Sequence, residues 1–207
     1  MSAHRKGRRA QWENLTRDEV RDAVIQILSS EGATGLTMER VAAEAGMAKA
    51  TLYGYFRSKK ELLEWVREAC LEPLREQARA LLEGELPPEE KLRRLVLLHL
   101  VYFDRNRGFF RVLLWERQSS LADLKQRRAH DGFRRHLDRI EDVLRAGIAA
   151  NVLRPVDEAR VAVMLMDAVI ALNRQRLMCE TPPPVDEDAR VLLDLLLHGI
   201  AAPKGGR

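Results

Sequence analysis

The sequence has little cysteine and no long apolar run, and each absence excludes a class of protein. Its 207 residues include two cysteines, Cys70 and Cys179, with neither a CxxC pair nor histidine-rich spacing around them. This usage argues against a disulfide scaffold or a cysteine zinc site and is typical of a reducing cytoplasm, where buried, inert thiols are expected. No apolar run approaches the roughly 20 residues that span a bilayer. The basic start also lacks the apolar core of a secretory signal, so we expect a soluble cytoplasmic protein that does not enter the membrane.

Motifs that carry catalysis are also missing. The chain has no GxSxG elbow, no phosphate-binding loop and no HExxH helix. His130 and His136 are six residues apart, which does not bring both to one helix face as a zinc pair requires, so we expect histidines at the surface or at helix ends. A serine, a histidine and a carboxylate that meet only through folding would escape this test, and an enzyme is therefore the alternative from another class. We predict no catalytic residue, no metal and no cofactor.

Positive charge is concentrated at the N-terminus. Residues 1–60 contain 11 of the 35 Lys and Arg and 7 of the 31 Asp and Glu, a net charge of +4, and the remaining residues contain 24 of each. Clustered positive charge is the electrostatic footprint of phosphate binding. A merely solvated surface would explain solubility, but it would not explain why the excess coincides with the motif described next.

Residues 37–56, TMERVAAEAGMAKATLYGYF, predict two short helices joined by a tight turn. Thr37 stands where a hydroxyl caps the first helix, and Gly46 stands where a left-handed residue ends it. Ala48 opens the second helix without a side chain that can cap it, at a typical cost of about 1 kcal/mol. This is the helix-turn-helix layout, whose second helix fits a DNA major groove.

Apolar spacing assigns the two faces of these helices. The first helix carries an i, i+3, i+4, i+7 stripe formed by Met38, Val41, Ala42 and Ala45. In the second helix, the residues expected to pack inward are Met47, Leu52 and Phe56. Those left to point outward are Lys49, Thr51, Tyr53 and Tyr55.

The flanks of this segment resemble the N-terminal signature of the TetR family of bacterial transcriptional regulators, over about residues 15 to 65. The residues that carry the resemblance are Gly35, Thr37, Val41, Ala42, Ala45-Gly46, Thr51-Leu52-Tyr53, Tyr55-Phe56, Lys59 and Leu62. The resemblance implies that Tyr53, Tyr55 and Lys59 contact the DNA backbone. Lys59 lies in the first turn of a helix opened by a second capping box, Ser58-Lys59-Lys60-Glu61, and a helix N-terminus itself attracts phosphate.

Base recognition, if direct, falls to the start of the second helix. Lys49 and Thr51 can reach base edges, and Ala50 is close enough to meet a thymine methyl. The full set of predicted DNA-contacting residues is Thr37, Lys49, Ala50, Thr51, Tyr53, Tyr55 and Lys59. For Tyr53 the alternative is a core aromatic, a role for which Leu52 and Phe56 are better placed.

The segment before this motif allows two interpretations. Its basic residues, Arg5, Lys6, Arg8 and Arg9, form either an arm that follows the DNA or a solubilising tail. At Thr16 a capping box, Thr16-Arg17-Asp18-Glu19, predicts the start of the first helix, which ends near Glu31-Gly32. We therefore predict a three-helix DNA-binding domain over residues 15–75, followed by a helical effector-binding and dimerisation domain over residues 76–207.

Helical periodicity continues through the second domain, which makes the whole fold all-α. Pro73 predicts a kink or break in the helix that joins the two domains. In the last helix, VLLDLLLHGI is apolar around most of its circumference, and a helix of that kind is buried on more than one side. A second copy of the chain is the simplest partner, and the resemblance implies the same dimer through the last two helices. Deeper burial within the chain's own core is the alternative.

The resemblance also implies a small-molecule effector bound among the helices of the second domain. Candidate lining residues are Trp65, Phe103, Phe110, Trp115, Phe133 and Met164, and candidate polar contacts are His99, Arg111 and Gln118. Each of these can equally be ordinary core packing.

These observations together predict a homodimeric repressor that binds a near-palindromic DNA operator in the bacterial cytoplasm and is released by an effector. A nucleoid-organising DNA-binding protein of the same fold, without a ligand, is the alternative.

Overall fold

Every regular element in the described part of the chain is an α-helix, as the sequence predicts. The computed structural model describes residues 3–116 and 131–200. In chain order the helices are α1 (Ala3–Ser30), α2 (Gly32–Gly35), α3 (Met38–Glu44), α4 (Lys49–Tyr55), α5 (Lys59–Glu83), α6 (Pro88–Arg105), α7 (Arg107–Glu116), α8 (Asp131–Ala149), α9 (Glu158–Met178) and α10 (Val185–Ile200). Among these helices, none is both long enough and apolar enough to cross a bilayer.

Two compact units divide the chain. The head comprises Met1–Leu71 and Gly108–Arg117, and the body comprises Glu72–Arg107 and Gln118–Arg207. The domain boundary predicted between residues 75 and 76 therefore lies close to the boundary between the two units, at residues 71 and 72. Helix α7, however, groups with the head rather than with the body. Gly108 allows this, because a Cβ there would lie 2.6 Å from Ser29 Oγ and 2.8 Å from Ile25 Cγ2 of α1. Arg111 then donates a hydrogen bond to the Ser29 carbonyl oxygen at 3.2 Å.

In the head, α1 packs on α3, and α3 packs on α4. Val24 and Ile27 of α1 are fully buried, as are Val41 of α3 and Leu52 of α4. Burial of each such side chain contributes about 1.5–3 kcal/mol. The apolar stripe predicted from the sequence thus lies on the side of α3 that packs within the head.

The predicted start of α1 is wrong. The capping box at Thr16 does not open the helix, which begins at Ala3 and runs for 28 residues. Most residues upstream of Thr16 are good helix formers such as Arg, Lys, Ala, Gln and Glu, so the helix propagates through them and leaves Thr16 in its interior. The basic segment is therefore helical from Ala3 onward rather than an extended tail. The side chains of Arg5, Lys6, Arg8 and Arg9 lie outside the described residues.

Pro73 does not interrupt α5. The helix is continuous from Lys59 to Glu83 with Pro73 inside it, and it passes from the head into the body. Of the predicted kink or break, the break is absent, because a single proline removes only one ladder hydrogen bond and the remaining turns sustain the helix. The kink stays a prediction.

The body is a bundle in which α6 packs on α8, α9 and α10, and α8 packs on α9. Its core contains many aliphatic side chains that are fully buried, among them Leu92, Leu100, Ile140, Leu144 and Leu165. Helical periodicity in the sequence predicts one long helix over residues 121–151. The structure describes it from Asp131 onward, as α8, and residues 121–130 lie outside the described range.

The two cysteines differ from each other. Cys70 is buried, and burial raises the pKa of its thiol to about 11, which leaves it unreactive at neutral pH, as expected. Cys179, which follows the last residue of α9, is exposed, so the expectation of a buried thiol is wrong there.

Candidate nucleic-acid interface

The turn between α3 and α4 determines where α4 begins. Thr37 caps α3 as predicted, because its Oγ1 accepts a hydrogen bond from the Arg40 N–H at 3.1 Å. Gly46 ends α3 with a φ of +65°, a conformation that glycine adopts without a steric penalty. Ala48 then precedes α4 and provides no side-chain cap, also as predicted. The backbone N–H groups at the start of α4 therefore have no side-chain cap from residue 48.

The two faces of α4 match the prediction. Leu52 and Phe56 are buried and Met47 is half-buried, whereas the predicted outward residues Lys49, Ala50, Thr51, Tyr53 and Tyr55 are all exposed. Two exposed tyrosines near two buried apolar side chains leave their rings accessible on the outward face of α4. The core-aromatic alternative for Tyr53 is not observed.

Lys49 is held in place by its neighbours in the head. Its Nζ lies 2.5 Å from Glu39 Oε1 of α3 and 5.7 Å from the centroid of the Tyr53 ring. The hydrogen bond with Glu39 raises the pKa of Lys49 and lowers the pKa of the Glu39 carboxyl. Both side chains are more than half exposed, so water screens the pair and it adds little to the stability of the fold. Glu39 thus orients the lysine and places a negative charge beside the predicted base-reading residues.

We expect Glu39→Gln to strengthen binding to unrelated duplexes by up to about fivefold in dilute salt, because a carboxylate that opposes DNA phosphate is removed. Discrimination between the operator and unrelated DNA should fall at the same time. Fluorescence anisotropy with both duplexes over a salt series measures the two effects.

The matched control is Glu31→Gln, which removes the same charge from the head. Glu31 pairs with Arg40 at 2.9 Å and is not bonded to Lys49. Equal effects of the two variants would show that only net charge matters and would contradict an orienting role for Glu39.

The start of α5 differs from a simple capping box. Ser58 Oγ accepts from the Glu61 N–H at 3.2 Å, as predicted, but the Glu61 carboxylate accepts from the Arg57 N–H at 2.8 Å instead of from Ser58. Lys59 Nζ donates to the Leu36 carbonyl oxygen at 2.6 Å, and partial burial lowers the pKa of Lys59. Lys59 therefore ties α5 to the segment before α3, and its phosphate contact stays a prediction.

The residues predicted to line an effector site do not gather in one unit. Phe103 is buried in the body, and Phe133 packs against the body core. Phe110 is buried in the head, and Trp65 packs there on Phe56 with ring centroids 5.2 Å apart. The structure also differs from the expectation at Met164, whose side chain is 63% exposed because α9 buries its other face through residues such as Leu165 and Val169.

The remaining candidate residues of the effector site, and the histidines, differ in where the structure places them. The side chains of Trp115 and Gln118 lie outside the described residues. Arg111 belongs to the head, where it bonds to Ser29. His99 is buried in the body, as a polar contact would be, and His136 is also buried, so the expectation of a surface histidine is wrong there.

Sequence reasoning missed one buried ionic cluster in the body. Arg176 of α9 is 5% exposed, and it donates to Asp188 of α10 at 2.5 Å, to Asp104 of α6 at 3.0 Å and to the Pro183 carbonyl oxygen at 2.7 Å. Burial opposes the charge on Arg176, but the two carboxylates outweigh it and raise its pKa. The partners are separated by 72 and 12 residues in sequence, and no local pattern links them.

Comparison with known proteins finds one family match in the N-terminal part of the chain and another in the C-terminal part. Residues 20–66 match the family described as bacterial regulatory proteins, tetR family, and residues 85–174 match the tetracyclin repressor-like C-terminal domain. The chain belongs to the TetR family. It is therefore a DNA-binding transcriptional regulator with an N-terminal helix-turn-helix domain and an all-α C-terminal body.

Relatives within the TetR family include proteins of two kinds. The nucleoid occlusion factor SlmA of Vibrio atlanticus is 32% identical over 165 residues, which cover 76% of this chain and 82% of that protein. The HTH-type transcriptional repressor NicS of Pseudomonas putida is 33% identical over 181 residues, 86% of this chain and 78% of that protein. Among solved structures, the TetR family regulator PfmR of Thermus thermophilus aligns with a TM-score of 0.71 and 27% identity over 86% of this chain and 97% of that one.

Proposed function

We propose that this TetR family regulator is a repressor that binds a near-palindromic operator as a homodimer and leaves it when a small molecule binds the body. The observation that carries the proposal is the outward face of α4, where Lys49, Ala50, Thr51, Tyr53 and Tyr55 are exposed around the buried Leu52. In this arrangement Lys49, Ala50 and Thr51 meet base edges, and the two tyrosines contact phosphate. Lys59, at the N-terminus of α5, supplies a further phosphate contact.

Two recognition helices in a dimer enter successive major grooves about 34–36 Å apart. A ligand that favours a mis-spaced dimer by ~3 kcal/mol weakens operator binding roughly a hundredfold. Regulation then needs no contact between the ligand and DNA, because the ligand acts on the population of the two dimer forms.

The test is selection of bound sequences from random DNA, repeated with Thr51→Ala and Lys49→Ala. We expect the wild type to select one near-palindromic site and each variant to lose preference at one or two base pairs per half-site, at a cost of about 1–3 kcal/mol for the preferred base. Lys60→Ala is the matched control, since this exposed lysine lies outside α4. If Thr51→Ala and Lys49→Ala keep the wild-type preference, recognition runs through DNA shape and the assignment fails.

The homodimer is supported by apolar side chains that the single chain leaves exposed on its last two helices. On α10, Val191 is 54% and Leu195 is 71% exposed, and the two lie one turn apart. On α9, Met164 is 63% and Met178 is 73% exposed. A second copy that covers these side chains through a two-fold axis removes them from water.

We expect Leu195→Lys to dissociate the dimer and to weaken operator binding, because it introduces two lysines into an apolar interface. Sedimentation velocity at micromolar protein measures the change in mass. Leu195→Met is the control and should stay dimeric, since it keeps an apolar side chain of similar volume. A Leu195→Lys chain that remains dimeric would exclude this face as the interface.

The SlmA relatives favour a second candidate, a DNA-binding protein of the nucleoid that has no small-molecule ligand. The same selection experiment, run with a panel of small molecules, distinguishes the two. A nucleoid protein should recover many weak sites and should not respond to any compound, whereas a regulated repressor should recover few strong sites and lose them with one compound.

A further inference from the structure

Two buried histidines in the body have no role in DNA binding. His99 of α6 is 4% exposed and His136 of α8 is 6% exposed, and the centroids of their rings are 5.2 Å apart. His99 Nδ1 donates to the Leu95 carbonyl oxygen at 2.8 Å, so its hydrogen is on Nδ1 and its Nε2 carries a lone pair. His136 Nε2 is buried without a hydrogen-bond partner in the described part of the chain. Buried polar atoms in folded proteins are mostly hydrogen-bonded, and a bound ligand is one way to supply the partner that this nitrogen lacks.

The charges around His136 favour an anion. The groups that act on it are His99 from α6, Arg75 from α5 and Arg139 from its own helix. Each arginine also has a carboxylate beside it, Glu72 at 3.6 Å from Arg75 and Glu83 at 2.8 Å from Arg139. Burial first, and then these neighbours, lower the pKa of His136 to about 3, so the ring is neutral at pH 7.

The guanidinium of Arg75, which belongs to α5, lies against Gly132 of α8, one helical turn before His136. A Cβ at Gly132 would stand 3.2 Å from Arg75 Cζ and Nη1, so the missing side chain gives the guanidinium room against that helix. Gly132 and His136 are four residues apart and share a face of α8. The imidazole of His136 and the guanidinium of Arg75 therefore lie along the same face of α8, and a protonated imidazole and a guanidinium both donate hydrogen bonds to a carboxylate.

The surroundings of the pair are apolar. Phe103 follows His99 by one turn of α6, and Phe133 precedes His136 by one turn of α8. Leu100 and Leu137, the chain neighbours of the two histidines, are buried in the body core together with Leu165 and Val169 of α9. A metal ion is a poorer occupant, because no group of three His, Cys, Asp or Glu residues that would hold one exists among residues 3–116 and 131–200.

We propose that the body binds an apolar monocarboxylic acid whose carboxylate is received by His136 Nε2 and Arg75. The assignment rests on the proposed small-molecule regulation and names the chemical class of the effector. When the carboxylate binds, its charge favours the imidazolium form, and His136 takes one proton from solvent to make a charge-assisted hydrogen bond. Binding then consumes up to one proton and weakens as the pH rises.

The test is calorimetric titration of the full-length protein with octanoate and phenylacetate, and with octanamide and octylamine as analogues that lack the negative charge. We expect at least one carboxylate to bind more than about tenfold tighter than octanamide, and octylamine not to bind. Titrations in buffers of different ionisation enthalpy should reveal proton uptake at pH 6–8.

Two variants identify the site. His136→Phe should weaken carboxylate binding at least about tenfold and abolish the proton uptake, and its thermal unfolding should show that the fold is kept. His198→Phe, at an exposed histidine of α10, should change neither quantity. Absence of binding by both carboxylates, equal binding of octanamide, or unchanged binding by His136→Phe would each overturn the proposal.

Operator binding measured on the same preparations separates this proposal from the proposed function. If operator binding responds to a compound other than a carboxylate, the repressor function stands and only the acid assignment fails. If no operator is bound at all, the proposed function fails, whatever the calorimetry shows.

Discussion

Asp188→Asn should lower the free energy of unfolding by about 3 kcal/mol, the largest loss expected from a single charge removal in the body. The substitution takes one carboxylate from Arg176, a guanidinium that is 5% exposed, and leaves it with Asp104 and the Pro183 carbonyl oxygen. The expected loss lies at the low end of the range for broken buried pairs because Asp104 stays in place. Urea denaturation followed by circular dichroism measures it.

Asp142→Asn provides the comparison. Asp142 pairs with Arg145 at 2.6 Å on α8, but these side chains are 70% and 59% exposed. The loss there should be below about 1 kcal/mol, because water screens an exposed pair. Similar losses for the two variants would mean that the Arg176 cluster is open to solvent and does not join α6, α9 and α10.

Acidification from pH 7.5 to 5 should destabilise the protein through the buried histidine pair by about 4 kcal/mol, about 2 kcal/mol for each ring. Burial lowers the pKa of His99 to about 4 and that of His136 to about 3, from 6.5 in the unfolded chain. Between these values the unfolded state binds more protons than the folded state. The stability contributed by neutral burial is therefore complete above pH 6.5 and is lost as the pH falls toward 4.

Urea denaturation at several pH values measures this dependence, and His136→Phe should remove about half of it between pH 7.5 and 5. His198→Phe is the control at an exposed position and should keep the full slope. If His136→Phe loses stability with acid as steeply as the wild type, the two rings are not buried as neutral groups.

The local features of the head could be predicted from the sequence because each depends on neighbouring residues. Thr37 caps α3, Gly46 adopts a positive φ, and Leu52 is buried because spacing assigns it to the apolar face. The start of α1 could not be predicted from Thr16, since a capping residue can equally lie inside a helix whose upstream residues favour helix formation. A capping box marks a residue at which a helix can begin, but it does not exclude a helix that begins earlier in the chain.

The body could be predicted only at the level of its helices. Periodicity does not show that Arg176 meets Asp104 and Asp188, because α6 supplies a partner 72 residues earlier in the chain. Likewise, His136 resembles a surface histidine in a helix rich in arginine, and its burial follows from the packing of α6 on α8. Met164 shows the converse, since an apolar residue predicted to line an effector site is exposed in the single chain.

The alanine before α4 also bears on how long this regulator stays on its operator. The seven-residue helix has no side-chain cap, so ordering its first turn reduces the free energy of DNA binding by about 1 kcal/mol. That amount corresponds to about a fivefold shorter residence time than a serine at position 48 would give. In the proposed repressor, transcription then follows a change in effector concentration without waiting for a slow dissociation step.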